Sequence, residues 1–215
     1  MFKVDFHSHT RYSPDSITSI ESLISAARKR GLDRLVVTDH NSVQGAFEAH
    51  AAAPDLIIVG EEVMTTQGEF LAVFVTREVP RGLEPMEALA RLKDQGAFIS
   101  ISHPFDTRRS GWTLDTLEQL APLVDAIETR NGRVFSPDYN TQAEEFAAKH
   151  HLPGTAGSDG HHPSEIGRVY SLVPEFTDAE SLRSAIVNAQ DNGRSSCPAV
   201  HLYSAWARIA KSVEK

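Results

Sequence analysis

Histidines and acidic residues recur along the chain, each time directly after an apolar run. The first such group is His7-Ser8-His9, which follows the apolar run Lys3–Phe6. Because side-chain direction repeats every two residues along a strand, the two imidazoles lie on the same side. Two neutral imidazoles held side by side can bind a divalent ion such as zinc, manganese or iron. The pair therefore predicts half of a metal site.

Further groups of this kind follow downstream and supply ligands for more than one ion. With Asp15 included, the candidate metal ligands are five histidines and three acids: His7, His9, Asp15, His40, Glu62, His103, Asp159 and His161. Eight groups exceed what one tetrahedral ion can use, and a carboxylate can bridge two ions. The pattern predicts two or three divalent ions of manganese, iron or zinc that share a hydroxide as the nucleophile.

The elements that position these ligands alternate between strand-like apolar runs and amphipathic helical stretches. The predicted strands are Lys3–Phe6, Arg34–Thr38, Leu56–Val63, Phe70–Val75, Ala97–Ile101, Val124–Thr129, Gly154–Gly157 and Val169–Val173. The predicted helices are Ser19–Arg30, Val43–Ala53, Pro85–Gln95, Thr113–Leu120, Tyr139–His150 and Asp178–Gln190. Such alternation is typical of a parallel sheet covered by helices.

The candidate ligands follow strand ends across the whole predicted sheet. Chemistry collects at the C-terminal strand ends both in open parallel sheets and in closed barrels. Because ligands drawn from the whole sheet converge more easily in a barrel mouth, we predict an α/β barrel with seven parallel strands. We expect a single domain over residues 1–215, with a core over about residues 3–190 and a C-terminal tail over 191–215. In the tail, Ala205–Lys215 is expected to pack as a terminal helix, with self-association as the alternative.

Composition limits the classes of partner and location. The formal net charge of −8 disfavours a nucleic-acid partner, although bound cations would offset part of that charge at the site. Cys197 is the single cysteine, which excludes a disulfide framework and a thiolate cluster. The sequence has neither an apolar stretch of membrane-spanning length nor a secretory signal, so we expect a cytoplasmic protein without a membrane partner. The oligomeric state is left open.

The motifs resemble, in order and spacing, those of the PHP (polymerase and histidinol phosphatase) superfamily. They are His7-x-His9-Thr10-x-x-Ser13-x-Asp15, Thr38-Asp39-His40, Gly60-x-Glu62, Ser102-His103-Pro104 and Gly157-Ser158-Asp159-x-His161. The resemblance covers roughly residues 3 to 190. It implies a distorted (βα)7 barrel, a two- or three-metal centre and hydrolysis of phosphate esters.

The resemblance also implies a division of the ligands among the ions. His7, His9, Glu62 and Asp159 would hold one ion, and Glu62 would bridge to a second ion that also takes His103. Asp15, His40 and His161 would hold a third. Glu62 is chosen over Glu61 because the family acid lies two residues after the glycine, and neighbouring strand residues face opposite ways. The catalytic candidates are thus Glu62, His103, Asp159 and His161, and no dedicated general acid is identified.

Three residues keep alternative interpretations, and the first is Asp15, which is either a metal ligand or an ordinary cap before the helix Ser19–Arg30. Many family members have a further histidine at the start of the strand after the bridging acid, where this chain has Glu69. Glu69 is therefore either a replacement ligand for the second ion or a solvated residue at a strand start. Asp39 either orients a ligand by hydrogen bonding or makes an Asx-type turn.

Phosphate recognition needs cationic or amide donors beside the ions. The candidate substrate-binding residues are Arg11, in the loop after His9, and Arg130 and Asn131, at the end of a predicted strand. Further options are Arg108, Arg109, Arg133 and Arg168.

The leading functional hypothesis is a metal-dependent phosphoesterase that acts on a small phosphorylated metabolite or nucleotide. One alternative is an exonuclease on DNA or RNA, which the sequence disfavours because it has no basic stripe and no interleaved aromatic-basic segment. Another is a metal-stabilised regulatory module without catalysis. A hydrolase acting on amides rather than phosphate esters is a weaker competitor.

Overall fold

A computed structural model describes residues 1–109 and 111–213 of the chain. The strands are β1 Phe2–Asp5, β2 Arg34–Val37, β3 Ile57–Met64, β4 Glu69–Val73, β5 Phe98–Ile101, β6 Ala126–Asn131, β7 Gly154–Gly157, β8 Val169–Val173 and β9 Gln190–Gly193. The α-helices are α1 Ile20–Lys29, α2 Gln44–Ala52, α3 Pro85–Lys93, α4 Leu114–Leu120, α5 Pro137–His150, α6 Ala179–Ile186 and α7 His201–Val213.

The first seven strands close into a distorted barrel. Neighbouring strands pair in the order β7-β6-β5-β4-β3-β2-β1-β8-β9. The ring closes where the Phe6 amide donates to the Ala156 carbonyl at 3.2 Å, and where Ser8 and Gly160 form a parallel bridge. Strand β8 pairs antiparallel with β1, and β9 pairs antiparallel with β8. The predicted barrel class is confirmed.

One strand of the barrel runs opposite to the prediction of seven parallel strands. Strand β4 is antiparallel to both of its neighbours, β3 and β5. Only residues 65–68 connect β3 to β4. A parallel pair needs a crossover of about a dozen residues or more, so this short turn forces a hairpin. The other six strands of the ring share one direction, and their C-terminal ends therefore lie at one end of the barrel.

The helices cover the barrel with apolar faces at helical spacing. In α1 the buried residues are Ile20, Leu23 and Ala27, and Ser19 caps the helix by accepting from the Ser22 amide. The first six helices match the predicted ones with shifts at their ends. The largest shift is at α6, which ends at Ile186 rather than Gln190 because Gln190–Gly193 pairs with β8.

The tail forms a helix against the C-terminal end of the barrel. Helix α7 begins at His201, before the predicted start, and buries Ser204 and Ala207. The Lys211 ammonium donates to the carbonyls of Arg11 and Ser13, which lie in the loop after β1. The structure therefore places α7 beside the loop that carries Asp15. Among the described residues, every helix is too short or too polar to cross a membrane.

Candidate metal centre

The C-terminal strand ends bring the eight predicted ligands together. His7 and His9 follow β1 and face two carboxylates from other strands. The Nε2 atom of His7 lies 3.2 Å from Glu62 Oε2 and 3.6 Å from Asp159 Oδ1. The Nε2 atom of His9 lies 3.5 Å and 3.3 Å from the same two oxygens. All four side chains are fully buried.

The other four predicted ligands extend this cluster on either side of Glu62. His103 Nε2 lies 3.0 Å from Glu62 Oε1, and His40 Nδ1 lies 2.9 Å from Glu62 Oε2. Asp15 Oδ1 lies 3.2 Å from His161 Nε2 and 3.5 Å from His40 Nε2. The two oxygens of Glu62 thus face different histidines, as a bridging carboxylate requires.

Glu61 and Glu69 lie on different sides: Glu61 points away from the cluster, and Glu69 borders it. The Glu61 carboxylate points away from the cluster and accepts from the Val79 amide at 3.0 Å. Burial raises the pKa of Glu61 to about 8. Glu69 is 4% exposed, with Oε2 at 3.3 Å from His103 Nε2 and Oε1 at 3.8 Å from His40 Nδ1. This burial excludes the interpretation of Glu69 as a solvated strand-start residue.

The side chains fit divalent ions by two criteria. Within the described ranges, several buried donor and acceptor atoms of the cluster have no hydrogen-bond partner: His7 Nε2, His9 Nε2, Asp15 Oδ1, His40 Nδ1, Glu62 Oε2 and Asp159 Oδ1. Such atoms are costly unless another group satisfies them. Ligand atoms at 2.0–2.2 Å from one ion are about 3.0–3.5 Å apart. The separations of 3.2–3.6 Å around His7 and His9 are close to that range.

The electrostatics of the cluster couple the acids to the imidazoles. Burial alone would raise the carboxyl pKa values, but His7 and His40 outweigh it at Glu62 and hold the pKa of that carboxyl well below its usual value. The pKa of Asp159 is likewise well below its usual value, because Arg109 and His7 outweigh burial. Burial opposes protonation of His7, yet the charges of Glu62 and Asp159 raise its pKa well above normal. Both acids are therefore ionised and able to bind cations.

The imidazoles of the cluster differ in the direction in which their pKa values are shifted. Glu62 and Asp15 outweigh burial at His40 and raise the pKa of that imidazole well above normal. In contrast, burial together with the neighbouring imidazoles of His161 and His40 lowers the pKa of His9 well below normal. Burial also lowers the pKa of His161. His9 and His161 are thus held in the neutral form that binds a metal.

Hydrogen bonds on the far side of the rings orient the first histidine pair. His7 Nδ1 lies 2.9 Å from Glu128 Oε1. His9 Nδ1 lies 3.0 Å from Ser13 Oγ, and Ser13 in turn donates to Asp39 Oδ1 at 2.8 Å. A carboxylate only accepts, and a hydroxyl that donates elsewhere accepts as well, so both rings carry the proton on Nδ1. Nε2 of each ring then faces the cluster, and in His7 a bound cation would replace the proton that the surrounding acids otherwise stabilise there.

This arrangement also defines the role of Asp39. Its carboxylate is fully buried and accepts from the amide and the hydroxyl of Thr10, in addition to Ser13. The structure therefore favours the orienting role over a simple Asx-type turn. The sequence did not identify Glu128, although an acid inside the apolar run Val124–Thr129 was an available signal.

The backbone at the cluster occupies an uncommon conformation. Asn41, His103 and Asp159 have φ values of 52°, 22° and 52°, in the left-handed region. Residues other than glycine adopt such values mainly at tight turns and functional sites, where the surroundings compensate the strain. At Gly157 an added Cβ would lie 2.3 Å from the His7 Cβ, so this motif position admits only glycine.

Glu128 provides the first test of the ring-orienting contacts. We expect Glu128→Gln to weaken metal affinity and activity by about 10–100-fold, the usual effect of losing a charged partner behind a metal-binding histidine. Metal titration followed by calorimetry measures this. Glu144→Gln, on the outer surface of α5, is the matched control and should leave affinity unchanged. Unchanged affinity in the Glu128 variant would contradict the orienting role.

The structure places two of the three predicted substrate-binding residues away from the cluster. Arg11 is exposed and pairs with Glu48 at 2.8 Å, and Arg130 pairs with Glu144 at 3.4 Å. Neither lines the cavity above the cluster. The register of β6 against β7 shifts between Glu128 and Arg130.

This bulge determines which side chains at the end of β6 face the cluster. It turns Glu128 and Asn131 toward the cluster and Arg130 away from it. Asn131 Nδ2 donates to Glu128 Oε2 at 3.1 Å and to Asp159 Oδ2 at 3.2 Å. The third predicted residue, Asn131, therefore lies beside the cluster, whereas the two arginines do not.

Arg109, one of the further options for phosphate recognition, lies beside the cluster. Its Nη1 atom lies 2.6 Å from Asp159 Oδ2, and its Nε atom lies 3.4 Å from Asp106 Oδ2. Burial would lower the pKa of Arg109, but Asp159 outweighs it and raises that pKa further. Arg109 also lines a cavity of about 550 Å³ that opens onto Asp15, His40, Glu69 and His161. A permanent cation therefore borders both the cluster and this cavity.

Comparison with known proteins agrees with the fold and with the motifs. Residues 5–132 match the PHP domain, and residues 137–190 match the PHP-associated region. The chain is 35% identical over 178 residues to the uncharacterized protein MJ0417 of Methanocaldococcus jannaschii, covering 81% of this chain and 71% of that one.

Two solved structures share the fold at low identity. One is a protein of Bifidobacterium adolescentis, provisionally described as a metal-dependent phosphoesterase, with a TM-score of 0.62 at 19% identity over 86% of this chain and 95% of that one. The other is the lesion-specific endonuclease EndoQ of Pyrococcus furiosus, with a TM-score of 0.67 at 18% identity over 92% of this chain and 59% of that one. The family match over more than half of the residues, together with the motif order, decides the assignment: the chain belongs to the PHP-domain family of metal-dependent phosphoesterases.

Proposed function

We propose that the protein hydrolyses a phosphate ester of a small phosphorylated metabolite. The observation that carries this proposal is the cavity of about 550 Å³, which has the ligand cluster at its base and Arg109 at its side. Cavities of roughly 300–1,000 Å³ hold small molecules. The phosphate would sit where both the ions and the guanidinium reach it.

The proposed ligand sets follow the distances in the cluster. His7, His9, Glu62 and Asp159 would hold one ion, and Asp15, His40 and His161 would hold another. Glu62 would bridge from the first ion to a further one bound by His103 and by Glu69, which supplies the carboxylate at the place of the family histidine. Divalent manganese, iron or zinc held in these sets would polarise the phosphate and supply a nucleophile at neutral pH.

The protein's own contribution is orientation and charge. Arg109 would donate N–H groups to the phosphate oxygens on which negative charge grows, in a water-poor site where such donors act strongly. Asp159 and Asp106 hold the guanidinium in place at 2.6 Å and 3.4 Å. Asn131 would fix the second oxygen of Asp159, so that the carboxylate keeps its direction when a substrate binds.

A nuclease is the second candidate function, favoured by the fold likeness to EndoQ. Two features weigh against it. The chain carries a formal charge of −8, which repels a polyanion at long range. Helix α7 also lies along the cavity and supplies Ser204, Ala205 and Arg208 to its lining, so the opening is narrowed on that side.

The proposal is tested by assaying the metal-loaded protein against phosphomonoesters, nucleotides and oligonucleotides. We expect release of inorganic phosphate from small monoesters, inhibition by inorganic phosphate, and no strand cleavage. Cleavage of oligonucleotides without hydrolysis of any small ester would favour the nuclease. Tight metal binding without hydrolysis of any substrate would favour a regulatory module.

Arg109 offers a sharper test of phosphate recognition. We expect Arg109→Gln to lower kcat/KM by about 10²-fold, the typical cost of removing one positioned charged donor from a transition state. Metal content should remain unchanged, because Arg109 contacts Asp159 through the oxygen Oδ2, which faces away from the two histidines. Arg28→Gln, a surface variant of the same charge change, is the control. Equal kcat/KM in all three proteins would contradict the assignment.

A further inference from the structure

The cavity above the metal centre has a cationic lining that one reacting phosphate does not explain. Among the described residues that line it, the acids are Asp15 and Glu69, both part of the cluster. Five arginines line the same cavity: Arg81, Arg108, Arg109, Arg133 and Arg208. The whole chain has 21 basic and 29 acidic residues. The excess of positive charge is therefore local to the place where a substrate enters.

Three of these arginines already have a carboxylate partner. Arg109 pairs with Asp159 at 2.6 Å. Arg133 pairs with Glu165 at 3.2 Å and also donates to the Ser204 hydroxyl, which ties α7 to the barrel. Arg208 pairs with Asp15 at 2.8 Å. Their charges are balanced within the protein, and these three residues do not create a site for a further anion.

Arg108 and Arg81 differ from the other three. Over residues 1–109 and 111–213, neither guanidinium has a carboxylate within 4.0 Å. The Arg108 guanidinium lies over the Phe135 ring, 4.4 Å from its centroid. Phe135 is in turn stacked on His201, with centroids 3.9 Å apart and an angle of 9° between the rings. Stacking fixes the plane of a guanidinium and leaves its N–H edge available to an acceptor.

The position of Arg81 is set by its neighbours in the chain. The Gly82 amide donates to the Met64 carbonyl at 2.7 Å, and the Thr66 amide donates to the Leu83 carbonyl at 2.9 Å. These bonds attach the segment around Arg81 to the end of β3, the strand that carries Glu62. Arg81 is thus presented to the cavity from a fixed backbone position.

We propose that Arg81 and Arg108 form a second anion subsite, so that the substrate carries another anionic group besides the phosphate that is hydrolysed. This inference rests on the proposed function and narrows it to small metabolites with two anionic groups, namely bisphosphates or phosphorylated carboxylates. The size of the cavity and the wall formed by α7 favour a small molecule over the repeated phosphates of a nucleic acid.

Matched substrates test the subsite. Propane-1,3-diol monophosphate lacks a second anion, the corresponding bisphosphate has a phosphate there, and 3-phosphooxypropanoate has a carboxylate there. We expect KM to be at least about tenfold lower for the preferred substrate with a second anionic group than for the monophosphate, as for a charged hydrogen-bonded pair. The better of these two substrates identifies the natural second group.

Variants test whether Arg81 and Arg108 cause the preference for a substrate with a second anionic group. The double variant Arg81→Gln, Arg108→Gln should abolish the difference in KM between the substrate with a second anionic group and the monophosphate, since the subsite acts on the second anion. Arg91→Gln, on the exposed face of α3 and paired with Glu87, is the control and should keep the preference. Equal KM values in the wild type, or a preference that survives in the double variant, would overturn the subsite.

A binding experiment separates this inference from the proposed function. Calorimetry with propane-1,3-bisphosphonate and propylphosphonate reports the subsite without any turnover. A preference for the bisphosphonate that the double variant loses supports the subsite even when no ester is hydrolysed, in which case only the proposed activity fails. Affinity that instead rises steadily with oligonucleotide length would overturn the small-molecule inference and assign the arginines to a nucleic acid.

Discussion

Replacing Asp159 with asparagine is expected to abolish metal-dependent hydrolysis while the protein stays folded. The asparagine keeps the size of the side chain but removes the charge that His7, His9 and Arg109 face. Asparagine also tolerates the left-handed backbone at this position, where φ is 52°, so no new strain arises. We expect kcat/KM to fall by about 10³-fold or more, as when a group that holds the catalytic metal is lost.

The measurements are kcat/KM, metal content by mass spectrometry and the thermal transition. Asp55→Asn, at an exposed position that pairs with Arg28, is the matched control and should behave as the wild type. His9→Ala provides an independent test of the same cluster and should show the same loss. Retained activity in either cluster variant, with metal content unchanged, would refute the ligand assignment.

Removing the metal ions is expected to destabilise the protein as well as inactivate it. The carboxylates of Glu62, Asp15 and Asp159 are buried within one cluster, and cations that bind only the folded state compensate their charges. A ligand present at 100 times its dissociation constant stabilises the folded state by about 2.7 kcal/mol per site. For a chain of this size that corresponds to a rise in Tm of roughly 5–10 °C per site.

This prediction is checked by thermal unfolding before and after chelation, followed by addition of single metals. Manganese, iron or zinc should restore Tm and activity together, whereas calcium, which prefers oxygen ligands, should restore neither. In Asp159→Asn the metal-dependent part of the Tm shift should shrink. A Tm that is the same with and without chelator would show that the cluster does not bind ions in the folded protein.

Much of the barrel was predictable because strand and helix patterns are local. The apolar runs and the spacing of Ile20, Leu23 and Ala27 report burial directly, and short loops fix the chain order. The direction of β4 was also encoded locally, in the four residues that link it to β3, but the alternating pattern outweighed this signal in the prediction. Strand β9, Gln190–Gly193, has a polar sequence that does not predict a strand. It forms because it pairs with β8.

The candidate site likewise has residues that were predictable from the sequence and residues that were not. The histidine and acid motifs lie at strand ends, so a correct barrel brings them together without further information. Glu128 was not identified and Arg109 was one of several options, because their partners, His7 and Asp159, are distant in sequence and one sequence does not reveal such pairs. The predicted role of Arg130 rested on its place at the end of a strand, and the bulge between Glu128 and Arg130 decides which residues there face the cluster. Side chains on bulges and long loops are therefore where prediction from sequence fails.

Imidazoles and carboxylates from five strand ends meet at the base of one cavity, and we propose that they hold divalent ions there. The most direct measurement is a crystal structure of the metal-loaded protein with anomalous diffraction at the absorption edge of the bound metal, combined with the metal content of the same sample. We predict two or three anomalous peaks within the cluster, between His9, Glu62 and Asp159 and around Asp15 and His103. A folded protein whose peaks lie elsewhere, or which holds no stoichiometric metal, would contradict the account.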